Sequence, residues 1–235
     1  MFIKLLISIF FLVFNLHSND MKMEKQEIEN LIKEYILKNP EIIIESLEKF
    51  TASQKEKEKD SFTNILNDFY DSKFYESLPK IGDAKDKLKI VEFIDYNCGY
   101  CKKTLPTISK LMKNFQNIQI VFIDYPILSE SSEIAARASL AANEQNVYFA
   151  YHSSLLNNTK SIDESFLYKI AKDLKLDIVK FKEDMASEKI KNKIIENIKF
   201  ANSLKIRGTP TFIIEKQILP GAYDYDKLKK IILDN

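Results

Sequence analysis

The chain has 235 residues, 45% of them hydrophobic, with 35 Lys+Arg against 34 Asp+Glu and only two cysteines. That length allows one domain with an appendage or two small domains, and that apolar share excludes a largely disordered chain. The even charge balance leaves no basic excess for nucleic acid or anionic lipid, so no nucleic-acid partner is expected.

Residues 2–16 are almost wholly apolar, carry Lys4 near the start, and end abruptly at His17-Ser18-Asn19-Asp20. This is the pattern of a secretory leader, and cleavage after Ser18 is expected. The run is short for a membrane span, which needs about 20 residues, although an uncleaved anchor is the other reading. Removing residues 1–18 takes away Lys4 and His17 and leaves His152 as the single histidine. Residues 19–78 follow as a helical segment. Ile28, Leu31, Ile32, Tyr35 and Ile36 form one apolar stripe, and Phe62, Ile65, Leu66, Phe69 and Tyr70 a second. Between them Asn39-Pro40-Glu41 reads as a stop and a start, with Asn39 as N-cap. So thin a segment cannot bury both stripes against itself, so it either packs on the following domain or associates with copies of itself, and homo-oligomerisation is the expectation put first. Leu78-Pro79 and Ile81-Gly82-Asp83 break the pattern and mark a boundary.

Residues 79–235 have another texture. KIVEFID (89–95) and IQIVFID (118–124) are buried-strand runs enclosing a helix from Cys98 that carries Pro106 as an expected kink. Strand, helix, strand at this spacing makes a parallel βαβ unit. Helical patterns fill an insert at about 129–204, then 211–215 and 217–219 read as a strand pair and 224–233 as a closing helix. The expected fold class is α/β: βαβ, a helical insert, then ββα.

Cys98-Gly99-Tyr100-Cys101 follows the first strand and opens a helix. Unpaired N–H groups and the positive dipole end of a helix favour a thiolate at the first cysteine. Cys98 is therefore the expected nucleophile and Cys101 the residue that resolves the mixed disulfide. A zinc site lacks ligands, since only His152 remains to join two thiols, and a c-type haem site fails at Lys102. A structural bridge closing so small a ring constrains the unfolded chain little. No cofactor and no resident metal ion are expected. One of only four glycines opens Gly208-Thr209-Pro210, just before the late strand, where a cis peptide is a candidate beside an ordinary trans turn. His152 reads as a core or surface histidine, Lys102 and Lys103 as solvated. The tyrosines at 96, 100, 125, 223 and 225 suit a substrate groove or the core.

Together, Cys98-Gly99-Tyr100-Cys101 and Gly208-Thr209-Pro210 resemble the thioredoxin superfamily with an inserted helical domain. Glu92-Phe93-Ile94-Asp95-Tyr96-Asn97-Cys98 is similar to the DsbA-like periplasmic thiol:disulfide oxidoreductases. Tyr35-Ile36-Leu37-Lys38-Asn39-Pro40-Glu41 resembles the oligomerisation segment of their suppressor-of-copper-sensitivity C branch. The resemblance implies a cis Thr209-Pro210 packed beside Cys98, Thr209 pairing a substrate strand next to Gly99 and Tyr100, and Glu92 as a buried acid moving protons. It implies protein substrates with thiols or disulfides, a periplasmic location, and a membrane redox partner for regeneration. Gly99-Tyr100 departs from the Pro-His of the strongest oxidases, so oxidase and isomerase duty both stay open. A thiol-based Cu(I)-handling protein is the rival reading, distinguished by metal copurifying with the reduced protein. A surface antigen with an incidental disulfide is a third.

Overall fold

The computed structural model describes residues 25–82 and 88–234, so the expected leader lies outside the described residues. The described chain starts with α1 (Lys25–Lys38) and α2 (Glu41–Tyr70), separated by Asn39 and Pro40. The Asn39 amide donates back to the Tyr35 carbonyl at 2.8 Å, so its side chain closes α1 instead of serving as the expected N-cap of α2. Ile28, Leu31, Ile32 and Tyr35 are exposed, as are Ile43, Ile44, Leu47 and Phe50.

Two compact units divide between Glu58 and Lys59, inside α2, not near Leu78 where the sequence pattern breaks. The reason is packing. Leu66 and Phe69 on the last turns of α2 are buried, and Phe69 stacks on Phe200 with ring centroids 4.1 Å apart. The second apolar stripe therefore belongs to the larger unit, residues 59–235.

That unit continues with α3 (Lys73–Ser77), capped by the Ser72 hydroxyl, and β1 (Lys80–Ile81). Next come β2 (Leu88–Ile94), α4 (Gly99–Asn114) and β3 (Ile118–Asp124). The insert comprises α5 (Glu130–Asn143), α6 (Tyr148–Leu156), α7 (Glu164–Asp173), α8 (Ile178–Ala186) and α9 (Glu188–Ser203). The chain closes with β4 (Thr211–Ile214), β5 (Gln217–Pro220) and α10 (Tyr225–Leu233). The expected order βαβ, helical insert, ββα is present. The sheet order is β1-β3-β2-β4-β5, with β2 and β3 parallel and the other pairs antiparallel. Only β1 went unseen in the sequence, because two residues carry no periodicity. Its end is set by Gly82 at φ +89°, where a Cβ would stand 2.4 Å from the Ile118 carbonyl.

Both faces of the sheet are covered, which is why its central strands read as continuous apolar runs. Val91, Phe93, Val121, Ile123 and Ile213 face Phe69 and Phe200. Ile90, Ile120, Phe122, Phe212 and Ile214 face Ile108 and Leu111 of α4 and Leu228 of α10. A third cluster fills the insert, where Ala135, Ala138 and Ala142 of α5 let Tyr151, Leu167 and Phe181 approach. The result delivers the C-terminal end of β2, the start of α4 and the entry to β4 to one place.

Candidate active site

Cys98 stands at the N-cap of α4, and Gly99, Tyr100 and Cys101 form its first turn. Both cysteines are unbonded; Cys98 is 7% exposed and Cys101 fully buried. The Thr209–Pro210 peptide is cis, and the Cys98 sulfur lies 3.1 Å from the Thr209 carbonyl oxygen, to which it donates when protonated. Tyr100 is largely exposed, with the Lys103 ammonium 5.1 Å from its ring centroid, and Gly99 has open space where a side chain would be. Cys98, Cys101, Gly99, Tyr100, Thr209 and Pro210 thus share one locality, as the sequence motifs suggested.

The two sulfurs differ sharply. Donation from the Cys101 thiol, helped by the Thr209 side chain and the backbone N–H groups of Tyr100 and Cys101, lowers Cys98 from 9.0 to about 5 against the effect of its own burial. Burial first, then the Cys98 partner and the nearby Glu92, push the Cys101 thiol far upward, although the Asp95 backbone N–H donates toward its sulfur. At neutral pH the site holds one thiolate, on Cys98, and one thiol behind it.

Glu92 lies in mid-β2, buried, where the sequence had only its apolar neighbours as a clue. The Thr104 hydroxyl of α4 sits 2.8 Å from its Oε1 and 2.8 Å from the Cys101 carbonyl. Its Oε2 has no hydrogen-bond partner among the described residues. Burial raises this carboxyl from 4.5 to about 8, with the Thr104 bond opposing, so it is mainly protonated at pH 7.

Two other features were not foreseen, the surroundings of Asp95 and of Asp124. The buried Asp95 carboxylate binds the active-site turn to residues 127, 128 and 132. Asp124, on β3, takes the hydroxyls of Tyr96 and Tyr148, both at 2.9 Å, and of Ser139 at 3.0 Å, and burial raises it to about 7. Beside that group lies His152, a buried core histidine whose Nδ1 is 3.2 Å from the Tyr96 oxygen; burial lowers it to about 3. Lys102 is not simply solvated, as expected, for its ammonium donates to the Asn158 carbonyl at 2.6 Å. Of the five tyrosines, Tyr96 and Tyr125 are buried and only Tyr100 stands exposed at the dithiol. Tyr223 packs edge-on to Phe212, and Tyr225 takes the Asn114 amide, so neither serves as a groove floor at Cys98. Among the described residues no group of three or more His, Cys, Asp or Glu side chains is arranged to hold a metal ion.

Comparison with known proteins adds the lineage. Residues 89–233 match the model of the DSBA-like thioredoxin domain, and residues 24–57 match the copper resistance protein ScsC N-terminal domain. A thioredoxin-like oxidoreductase from Silicibacter pomeroyi is 32% identical with a TM-score of 0.64, covering 67% of this chain and 91% of that one. The thiol-disulfide exchange protein alpha-DsbA2 of Wolbachia pipientis is 25% identical with a TM-score of 0.69, covering 77% and 97%. Proteus mirabilis ScsC, in a transitional conformation, is 26% identical with a TM-score of 0.65, covering 89% and 95%. The chain spans about a quarter of the length of the first curated relatives it matches, which are Na(+)/H(+) antiporters of Salinispora. A domain model covering more than half the chain, matching in sequence the unit whose topology and dithiol are described above, makes the chain a member of the DSBA-like thioredoxin domain family.

Proposed function

We propose that this protein is an exported protein thiol:disulfide oxidoreductase. One observation carries the reading: a dithiol at a helix N-terminus, in which Cys98 is held near pKa 5 while Cys101 stays protonated. The Cys98 thiolate attacks one sulfur of a substrate disulfide; the substrate's S–S bond breaks, a Cys98–substrate S–S bond forms, and the other substrate sulfur leaves as a thiolate. Cys101 then loses its proton and attacks the Cys98 sulfur, releasing the second substrate thiolate and leaving a Cys98–Cys101 disulfide. In the opposite direction the same steps oxidise a substrate dithiol. Glu92 is the proposed proton carrier for Cys101: its ionised fraction takes the Cys101 proton, and its protonated form returns one when Cys101 is the leaving sulfur in the opposite direction. Gly99, Tyr100, Thr209 and Pro210 are the proposed substrate contact.

Insulin reduction tests this directly. It should vanish in Cys98→Ser, while Cys101→Ala should accumulate mixed disulfides through Cys98. An active Cys98→Ser protein would overturn the reading. The Cys98–Cys101 reduction potential assigns the direction, since about 30 mV corresponds to 1.4 kcal/mol for this couple.

The proposed chain organisation is a leader at 1–18, a helical segment at 19–78 and the catalytic domain at 79–235, with a periplasmic location and regeneration by a membrane redox partner. We assign self-association to the exposed apolar residues of α1 and early α2, Ile28, Leu31, Ile32, Tyr35, Ile43, Ile44, Leu47 and Phe50, more large apolar side chains than so short a stretch would leave in water. Leu31→Glu with Tyr35→Glu should lower the sedimentation coefficient; an unchanged value would refute it. Two active sites in one assembly suit isomerisation of misfolded substrates.

A further inference from the structure

Asp95 is absent from the exchange steps above, yet its backbone meets both cysteines. Its four carboxylate acceptor sites are all used. Oδ1 takes the Asn97 N–H at 2.8 Å and the Ser132 hydroxyl at 2.7 Å; Oδ2 takes the N–H groups of Ile127 at 2.9 Å and Leu128 at 3.0 Å. Two of these donors come from the connection after β3 and one from the first turn of α5, so the carboxylate binds three stretches of chain at one point. The backbone of the same residue reaches the dithiol from both sides. Its carbonyl accepts the Cys98 N–H at 3.0 Å, and its N–H is the backbone group that favours charge on the Cys101 sulfur. The neighbouring Asn97 amide, 2.8–3.0 Å from the hydroxyls of Ser129, Ser131 and Ser132, reinforces the same junction.

We propose that Asp95 is a positioning residue for the resolving step: its carboxylate fixes the peptide units that set Cys98 at the helix N-cap and aim an N–H at the Cys101 sulfur. The physical argument is geometric. A donor stabilises a developing thiolate only if it is already aimed when the charge appears. The Asp95 N–H is the one favourable backbone contact of Cys101, whose thiol is otherwise raised by burial and by charge. Residues 95–98 form a turn between β2 and α4, and although the Cys98 carbonyl takes the first helix bond, from the Lys102 N–H, Asp95, Tyr96 and Asn97 lie outside both the sheet and the helix. A side chain with four donors on it holds them in place.

The inference rests on the reading of Cys98 as nucleophile and Cys101 as resolver. Asp95→Asn has the same shape but keeps one acceptor oxygen and turns an NH2 towards one pair of donors. The measurement is the rate at which Cys101 releases glutathione from a preformed Cys98–glutathione mixed disulfide in the full chain. A fall of about tenfold in Asp95→Asn is expected, on the scale of one lost hydrogen bond. Ser132→Ala, which removes one donor only, should give about threefold. Ser139→Ala, which removes a buried bond to Asp124 instead, should lower urea stability and leave the release rate within about twofold. Equal release rates in wild type, folded Asp95→Asn and Ser132→Ala would overturn the inference. If Asp95→Asn does not fold, Ser132→Ala decides, and an unchanged rate there overturns it. Failure of the underlying reading looks different: wild type itself would release no glutathione, or Cys98→Ser would remain active.

Discussion

Replacing Glu92 by Gln should change how the protein's stability depends on pH, in a direction fixed by burial. Glu92 is an acid raised from 4.5 to about 8 by desolvation, with Thr104 alone opposing. Between those two values the folded state holds a proton that the unfolded chain has lost, so stability falls as pH rises. The slope is about 1.4 kcal/mol per pH unit, giving about 3 kcal/mol by pH 7 and about 5 above pH 8. Gln keeps an oxygen for Thr104 but leaves an NH2 where Oε2 has no partner, a pH-independent cost of about 1–3 kcal/mol. The absolute difference near pH 5 should therefore favour the wild type, and Glu92→Gln should overtake it as pH rises. Urea unfolding from pH 5 to pH 8, with both cysteines changed to Ser so that no thiol titrates, isolates the effect. A stability difference constant to within about 0.5 kcal/mol across that range would refute a buried, protonated Glu92. In the native dithiol, Glu92→Gln should also slow release from the mixed disulfide, because Cys101 would lose its proton carrier.

Ultraviolet thiolate absorbance of the reduced protein should show one step near pH 5, from Cys98, and Cys101→Ala should move that step upward by removing its largest stabilising donor. Because Cys98 is depressed from 9.0, the reduced form should hold its full gain above pH 9 and lose it as pH falls through 5, which urea unfolding under reductant will report. Phe69→Ala should cost about 3–5 kcal/mol in denaturant unfolding, since it empties a buried ring site stacked on Phe200. His152 is buried neutral and lowered from 6.5 to about 3, so the folded state resists the proton that the unfolded chain accepts. His152→Gln should therefore lose less stability than wild type between pH 6.5 and pH 3, by about 1.4 kcal/mol per pH unit, and parallel curves would contradict that burial.

What was legible in the sequence is what local pattern controls. β2 and β3 announced themselves because both faces of the sheet are covered, so their middle positions are almost all apolar, and Glu92 stood out against that run. The dithiol and the Gly208-Thr209-Pro210 turn are contiguous motifs, and the structure brings the Thr209 carbonyl to Cys98 across 111 positions of sequence. Asp95 stands out in the sequence only as part of a motif because its distant partners lie 32–37 residues away, two of them backbone N–H groups that any residue type supplies and the third the Ser132 hydroxyl. Asp124 hid for a similar reason: its Tyr and Ser donors are scattered over three elements. The division between units fell inside a helix because Phe69 chooses the aromatic cluster of the larger unit, and helix periodicity is blind to which neighbour a stripe meets.

Two identical side chains three positions apart end up with opposite protonation, and the motif alone explains only part of this. In any such pair the thiol of one cysteine stabilises the thiolate of the other, so a single charge is shared between them. The fold decides which sulfur holds it. Cys98 sits where N–H groups of the first helical turn converge and where a little solvent reaches it. Cys101, one turn inward, is fully buried and faces Glu92, whose charge would oppose a second one nearby. With Glu92 protonated at pH 7, the pocket carries one charge at its mouth and two protons behind it. Attack by Cys98 consumes that charge in forming the mixed disulfide, and this removes the largest side-chain obstacle to ionising Cys101. The resolving sulfur is thus released for chemistry by the first step itself, with the Asp95 N–H already aimed at it.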